Sequence, residues 1–193
     1  MIRYMAAVFL MAVFFSCASK EGKNSGARSD SIGHGTDLKR DTLSGGTGYL
    51  VLDKDSLLIP AFTIELNLSQ KANEKLNRSK ETIIVAAWFS GVPKDTTSKE
   101  YAESGEMFLA SARKELSNSR SASFEGVKFS KAAYDSLADK NISVLINVFS
   151  GRRTTQDNLL DCNILSEKMS AVRGRKFVLA GKLIGEGDSL QVK

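Results

Sequence analysis

A block of sequence recurs in this chain, and the recurrence constrains the fold more than any other feature. From Ser69 the chain reads SQKANEKLNRSKETIIVAAWFSG, and from Ser130 it reads SKAAYDSLADKNISVLINVFSG. Ser69, Ala72 and Leu76 match Ser130, Ala133 and Leu137, and Ile83 and Val85 match Val144 and Ile146. Phe89, Ser90 and Gly91 match Phe149, Ser150 and Gly151 after a one-residue gap. Each copy follows an alternating strand, ending at Leu68 or Phe129. Each precedes a basic, Thr-containing loop, PKDTT at 93–97 and RRTT at 152–155. Self-similarity of this kind reads as an internal duplication, residues 61–118 and 121–186. The competing explanation is two strand–helix–strand units that look alike because they obey the same physics.

Local pattern supplies the elements. Strands are expected at 49–52 and 57–68; Phe62, Ile64, Leu66 and Leu68 alternate with Thr63, Glu65 and Asn67, the period of a half-buried strand. Ser69 is placed to cap a helix over 70–77, with Ala72 and Leu76 on one face. A strand follows over 82–91. Residues 106–116 suit a strand or, by their Ala, Lys, Glu and Leu content, a helix. Further strands are expected within 159–167 and 176–186, the last with Phe177, Leu179, Gly181 and Leu183 along one face. The expected fold is mainly β: a β-sandwich of about eight strands with two short crossover helices, internally duplicated and transthyretin-like or similar. Helices lying on one face of a single sheet are the alternative, disfavoured because helices this short cannot cover a broad sheet.

The amino terminus carries a different message. Arg3 precedes an apolar run at 5–15, then Ser16, Cys17, Ala18 and Ser19, the order of a secretory signal. The run is about half the roughly 20 residues needed to cross a bilayer as a helix. A Cys at the exit of such a run resembles the lipobox of bacterial lipoproteins, with Ser16 in the small-residue place and Phe14 where the family usually has Leu. Relaxed lipoboxes of this kind resemble those of Bacteroidetes. The resemblance implies a signal peptide at 1–16 and lipid, palmitate among its chains, on Cys17. Residues 17–48 are rich in Ser, Gly, Lys and Asp, with only Ile32, Leu38 and Leu43 breaking the polar run through residue 43. They read as a flexible tether, about 30 residues with a span of roughly 30 Å. The folded domain is then 49–193.

The chain lacks the residue sets of common catalytic centres. Its one His, His34, falls between two glycines of the tether, which argues against Ser-His-Asp, Cys-His and zinc chemistry. Neither a P-loop nor a G-x-G-x-x-G turn is present. Ser111-x-x-Lys114 resembles the nucleophile motif of penicillin-binding proteins and β-lactamases, but in a strand the two residues face opposite ways. Asp157 and Asp161, and Glu100, Glu103 and Glu106, read as solvated carboxylates rather than a glycosidase pair. Cys162, alone if Cys17 is lipidated, reads as a small buried hydrophobe. The net charge of +5 is too small to point to nucleic acid. No metal or cofactor is expected, and the chain is expected not to be an enzyme.

What remains is binding. Trp88, which matches Phe149 of the second copy, is a core aromatic or a ligand platform. Arg152-Arg153 and Arg173-Gly174-Arg175-Lys176 are basic clusters suited to an acidic partner, lipid headgroups or anionic glycan. If the copies are equivalent, Lys94 on one loop and Arg152 and Arg153 on the other form a shared binding rim. The expected function is a membrane-anchored, non-enzymatic interaction or assembly module with an envelope protein partner. In plan it resembles assembly lipoproteins of secretion machines, such as the outer-membrane lipoprotein of type VI secretion; a glycan or small-ligand binder is the alternative. Ala18 after the Cys fits the outer membrane by the rule known for enteric lipoproteins. A single acid in Lys20-Glu21-Gly22-Lys23 favours the periplasmic face over the cell surface.

Overall fold

Alternation, caps and turn residues divide the chain into short elements, seen in a computed structural model that describes residues 48–187. The first half runs β1 (Val51–Asp53), β2 (Ser56–Leu58), β3 (Phe62–Leu68), α1 (Gln70–Ser79), β4 (Ile83–Gly91), α2 (Lys99–Ser104) and β5 (Met107–Leu116). It is followed by β6 (Ser121–Phe124), β7 (Lys128–Ser130), α3 (Lys131–Asp135), β8 (Ser143–Ser150), β9 (Leu160–Cys162), β10 (Leu165–Lys168), α4 (Met169–Val172) and β11 (Lys176–Leu183).

The two recurring segments form their elements by the same devices. Ser69 Oγ accepts the Ala72 N–H at 3.1 Å and starts α1, whose Ala72 and Leu76 are buried. Lys80 ends α1 in the left-handed region, φ 54°. Ser130 Oγ accepts from Ala132 and Ala133 to start α3. After it Lys140 is again left-handed, φ 58°, and its Nζ returns to the carbonyls of Tyr134 and Asp135 at 2.8 and 2.7 Å. Hydroxyl caps meet donors that the first turn cannot pair internally.

Strands assemble into three sheets, ordered β10-β8-β4-β5, β6-β3-β11-β9 and β1-β2-β7. β4 and β8 form the antiparallel centre of the first, with Ile83 opposite Ser150 and Ser90 opposite Ser143. β3 runs parallel to β11, Thr63 opposite Lys176 through Leu68 opposite Gly181. One apolar core joins all three sheets. Phe62 of β3 stacks on Phe124 of β6 (centroids 5.0 Å) and meets Phe89 of β4 edge-on (6.3 Å). Each such aromatic pair contributes about 1 kcal/mol beyond its area burial.

The mainly β expectation stands, and several finer ones change. Eleven strands and four helices replace eight and two among the described residues. The strand expected over 57–68 is two, because Pro60 lies in the break between β2 and β3 and supplies no backbone N–H to a ladder. Residues 107–116 are strand, with nine residues laddered to β4 across a register shift. The segment 159–167 is divided between sheets, β9 joining β11 and β10 joining β8.

Candidate functional site

The central sheet has one face in the core and one facing out, as period-two geometry requires. On β4, Ile83, Val85, Ala87 and Phe89 are buried in the core, so Ile84, Ala86, Trp88 and Ser90 lie on the other face, where Ala86 is itself covered by its neighbours. Cross-strand register brings Phe149 beside Ile84, Asn147 and Arg113 beside Ala86, and Leu145 and Ser111 beside Trp88. Trp88 is half-buried in this outer face rather than a core residue. Leu145 remains 42% and Phe108 52% exposed. The Arg113 guanidinium lies 5.7 Å from the centroid of the Phe149 ring.

Where β10 stops, this face opens into a cleft of about 870 Å³. Ile84, Arg113, Phe149 and Arg152 are among its lining residues, together with Ile164, between β9 and β10, and Ile184, after β11. Both isoleucines are exposed, at 61% and 58%. The volume lies within the range usual for small-ligand sites.

The loop that carries Arg152 is held by an internal anion. Glu81, 3% exposed, accepts the backbone N–H groups of Arg153, Thr154 and Thr155 at 2.9, 2.8 and 3.1 Å, and that of Thr82 at 3.0 Å. The hydroxyls of Thr154 and Thr155 donate to the same carboxylate. Burial alone pushes the Glu81 carboxyl up, but the donors from Arg153, Thr154 and Thr82 outweigh it and bring it down to about 2. Arg152 enters this turn left-handed, φ 55°, and Gly151 precedes it because a Cβ there would lie 1.9 Å from Thr82 Oγ1. Arg153 is committed elsewhere, gripping Glu115 through Nε and Nη2 at 2.8 and 2.7 Å. With Thr82 Oγ1 also donating, Glu115 too is held down, to about 2.

The rim inferred from the repeat is not one rim. Lys94 and Arg152 follow β4 and β8, which are antiparallel, so they leave the sheet at opposite ends, separated by about 24 Å of strand. Lys94 N–H donates to Ser136 O and its Nζ to Asp135 O, both beside α3. Only Arg152 and Arg153 share the cleft, with Trp88 on the sheet between the two ends. The gapped match of Phe89 to Phe149 also fails in space: Phe89 is fully buried, while Phe149 is on the outer face. Trp88 and Phe149 face the same way.

Other candidates are dispersed. Ser111 and Lys114 lie on opposite faces of β5, opposite Trp88 and Val85. Glu106 accepts from Ser90 and Ser143. Arg173 and Arg175 lie against the rings of Tyr49 and Phe177, and Lys176 pairs with Glu65 at 2.6 Å. Burial raises the Cys162 thiol to about 11. Among the described residues no group of three or more His, Cys, Asp or Glu is arranged to hold a metal, and no helix is long and apolar enough to cross a membrane. The signal peptide, Cys17, the tether and His34 lie outside the described residues.

Sequence reasoning missed Arg113 and Glu81. Arg113 was available from the alternation of β5 once that segment is taken as a strand, whereas nothing local marks a Glu whose donors, the adjacent Thr82 apart, are more than seventy residues away. No family model matches the chain, and comparison with curated proteins and with solved structures gives no match.

Proposed function

We propose that the chain is a membrane-anchored, non-enzymatic interaction module of the bacterial envelope, held by lipid on Cys17 at the outer membrane with its domain in the periplasm. The observation that carries the interaction reading is the outer face of the central sheet. There Trp88, Leu145, Phe149 and Phe108 share one face, with Arg113 and Asn147 among them. Exposed apolar patches with aromatic and Arg residues are the usual composition of a protein-binding surface.

An internally duplicated sandwich belongs to the same proposal. Its support is the register: Ala86 lies opposite Asn147, its own counterpart at the spacing that relates Ile83 to Val144. β5 and β10 flank the pair on either side. The loops are exchanged reciprocally, since Val92 O accepts from Ala138 after α3, while Thr82 O, after α1, accepts from Gly151.

A photo-crosslinking amino acid at Leu145, with Lys75 on exposed α1 as the control position, tests the interaction in intact cells. A discrete protein adduct from position 145 alone is expected. No adduct there, or the same adducts from position 75, overturns it. The anchor is tested by Cys17→Ser, which is expected to move the protein out of the membrane fraction; retention there overturns the lipid assignment.

A further inference from the structure

Among the described residues the edge of β8 is laddered only in part, and β9 passes close beside the strand without pairing to it. β10 pairs with it at residues 143–146 and then bends away. Further along, the Ser150 N–H donates to Asn158 Oδ1 at 2.8 Å, on the side away from β4. Backbone groups alternate in direction along an antiparallel strand, so the N–H and C=O of Val148 point the same way as those of Ser150. Val148 lies between the end of one ladder and the Asn158 bond, and among the described residues it has no ladder partner on that side. Its side chain is in the core, so it is the main chain of Val148 that lines the cleft.

Above this open step the cleft is cationic. Neither Arg113 nor Arg152 has a carboxylate within ion-pair distance among the described residues. The nearby Glu115 is taken by Arg153 and Thr82, which leaves Asp161 as the acid lining the cleft. Phe149, Ile164 and Ile184 supply apolar surface to the lining. A step of strand edge whose donor and acceptor have no ladder partner among the described residues, apolar side chains in the lining and two guanidiniums without a carboxylate among those residues fit a polypeptide in extended form that carries negative charge.

We propose that the cleft binds an extended acidic segment of a partner protein, which adds to the edge of β8 at Val148 and sets its carboxylates against Arg113 and Arg152. This rests on the interaction-module reading and goes further by naming the chemistry of the partner. Main-chain pairing supplies the register, and the guanidiniums select acidic over basic sequences.

The test is amide chemical-shift mapping on the isotope-labelled full chain in detergent. The probe is the peptide acetyl-Val-Asp-Val-Asp-Val-amide, taken to about 2 mM. Saturable shifts at Val148, Phe149 and Arg152 are expected, with none from the peptide in which Lys replaces Asp. Arg113→Glu is expected to weaken the acidic peptide at least fivefold. Arg152→Gly, which suits the left-handed backbone there, is expected to do the same and serves if the first variant fails to fold. Absence of shifts, equal shifts from the Lys peptide, or full reproduction of the Val148 shift by acetate alone overturns the proposal. If Leu145 still crosslinks in cells while the peptide fails, this inference alone falls; if the crosslink is also absent, the module reading falls with it.

Discussion

Glu81 shows how one residue fixes a loop. Its carboxylate replaces solvent for a run of backbone donors that the turn at 152–155 would otherwise leave unpaired. Because its folded pKa, about 2, lies below the ordinary value of 4.5, its contribution is complete above pH 4.5 and is lost as pH falls toward 2. Glu81→Gln keeps the shape and removes the charge, so a loss of about 2 kcal/mol at pH 7 is expected by denaturant unfolding. The difference between variant and parent is expected to shrink as pH falls from 4.5 to 2; a difference constant with pH would contradict this account. Cys162 makes the opposite point. With its thiol raised to about 11 and its Sγ beside Gly181, it should react with a disulfide reagent at pH 8 far more slowly than a free peptide thiol. Labelling at the peptide rate would place it outside the packed environment described here.

At the scale of elements, the parts legible in the sequence were those set by local chemistry. The alternation of Phe62 to Leu68, the Ser69 cap and the strand at 83–91 depend on neighbours in the chain, and they were read correctly. Hidden parts depended on distant partners. Leu159 to Glu167 looks like one strand, yet its two halves join β11 and β8 in different sheets, a choice made by tertiary pairing. The loops at 93–97 and 152–155, expected to share a rim, lie at opposite ends of the sheet, because strand direction, and so which loops share an end, is not encoded by hydrophobic period. The two caps also allow a comparison within one molecule. Ser69 Oγ both accepts from Ala72 and donates to Glu186 at 2.8 Å, tying α1 to the end of β11; Ser130 makes only its local cap. Ser69→Ala is therefore expected to cost about 2 kcal/mol and Ser130→Ala about 1 kcal/mol or less in thermal unfolding. Equal losses would show that the Glu186 contact adds nothing.

At the scale of the whole molecule, the described residues are bound together by pairings that cross between 49–118 and 121–186. β4 of the first segment pairs with β8 of the second, and β3 of the first is flanked by β6 and β11 of the second. Cut between 118 and 121, the first half keeps the β4–β5 and β1–β2 pairs, while β3 loses both neighbours. A two-stranded pair is marginal alone in water, and the core around Phe62 would lose Phe124. Residues 49–118 and 121–186 are therefore each expected to lack dispersed amide spectra and cooperative melting when expressed alone. Mixed together they are expected to recover both, because every pairing needed is present between them. If either half folded cooperatively by itself, the repeat would be a pair of autonomous units, and the shared core would be a consequence of their docking rather than the condition for folding.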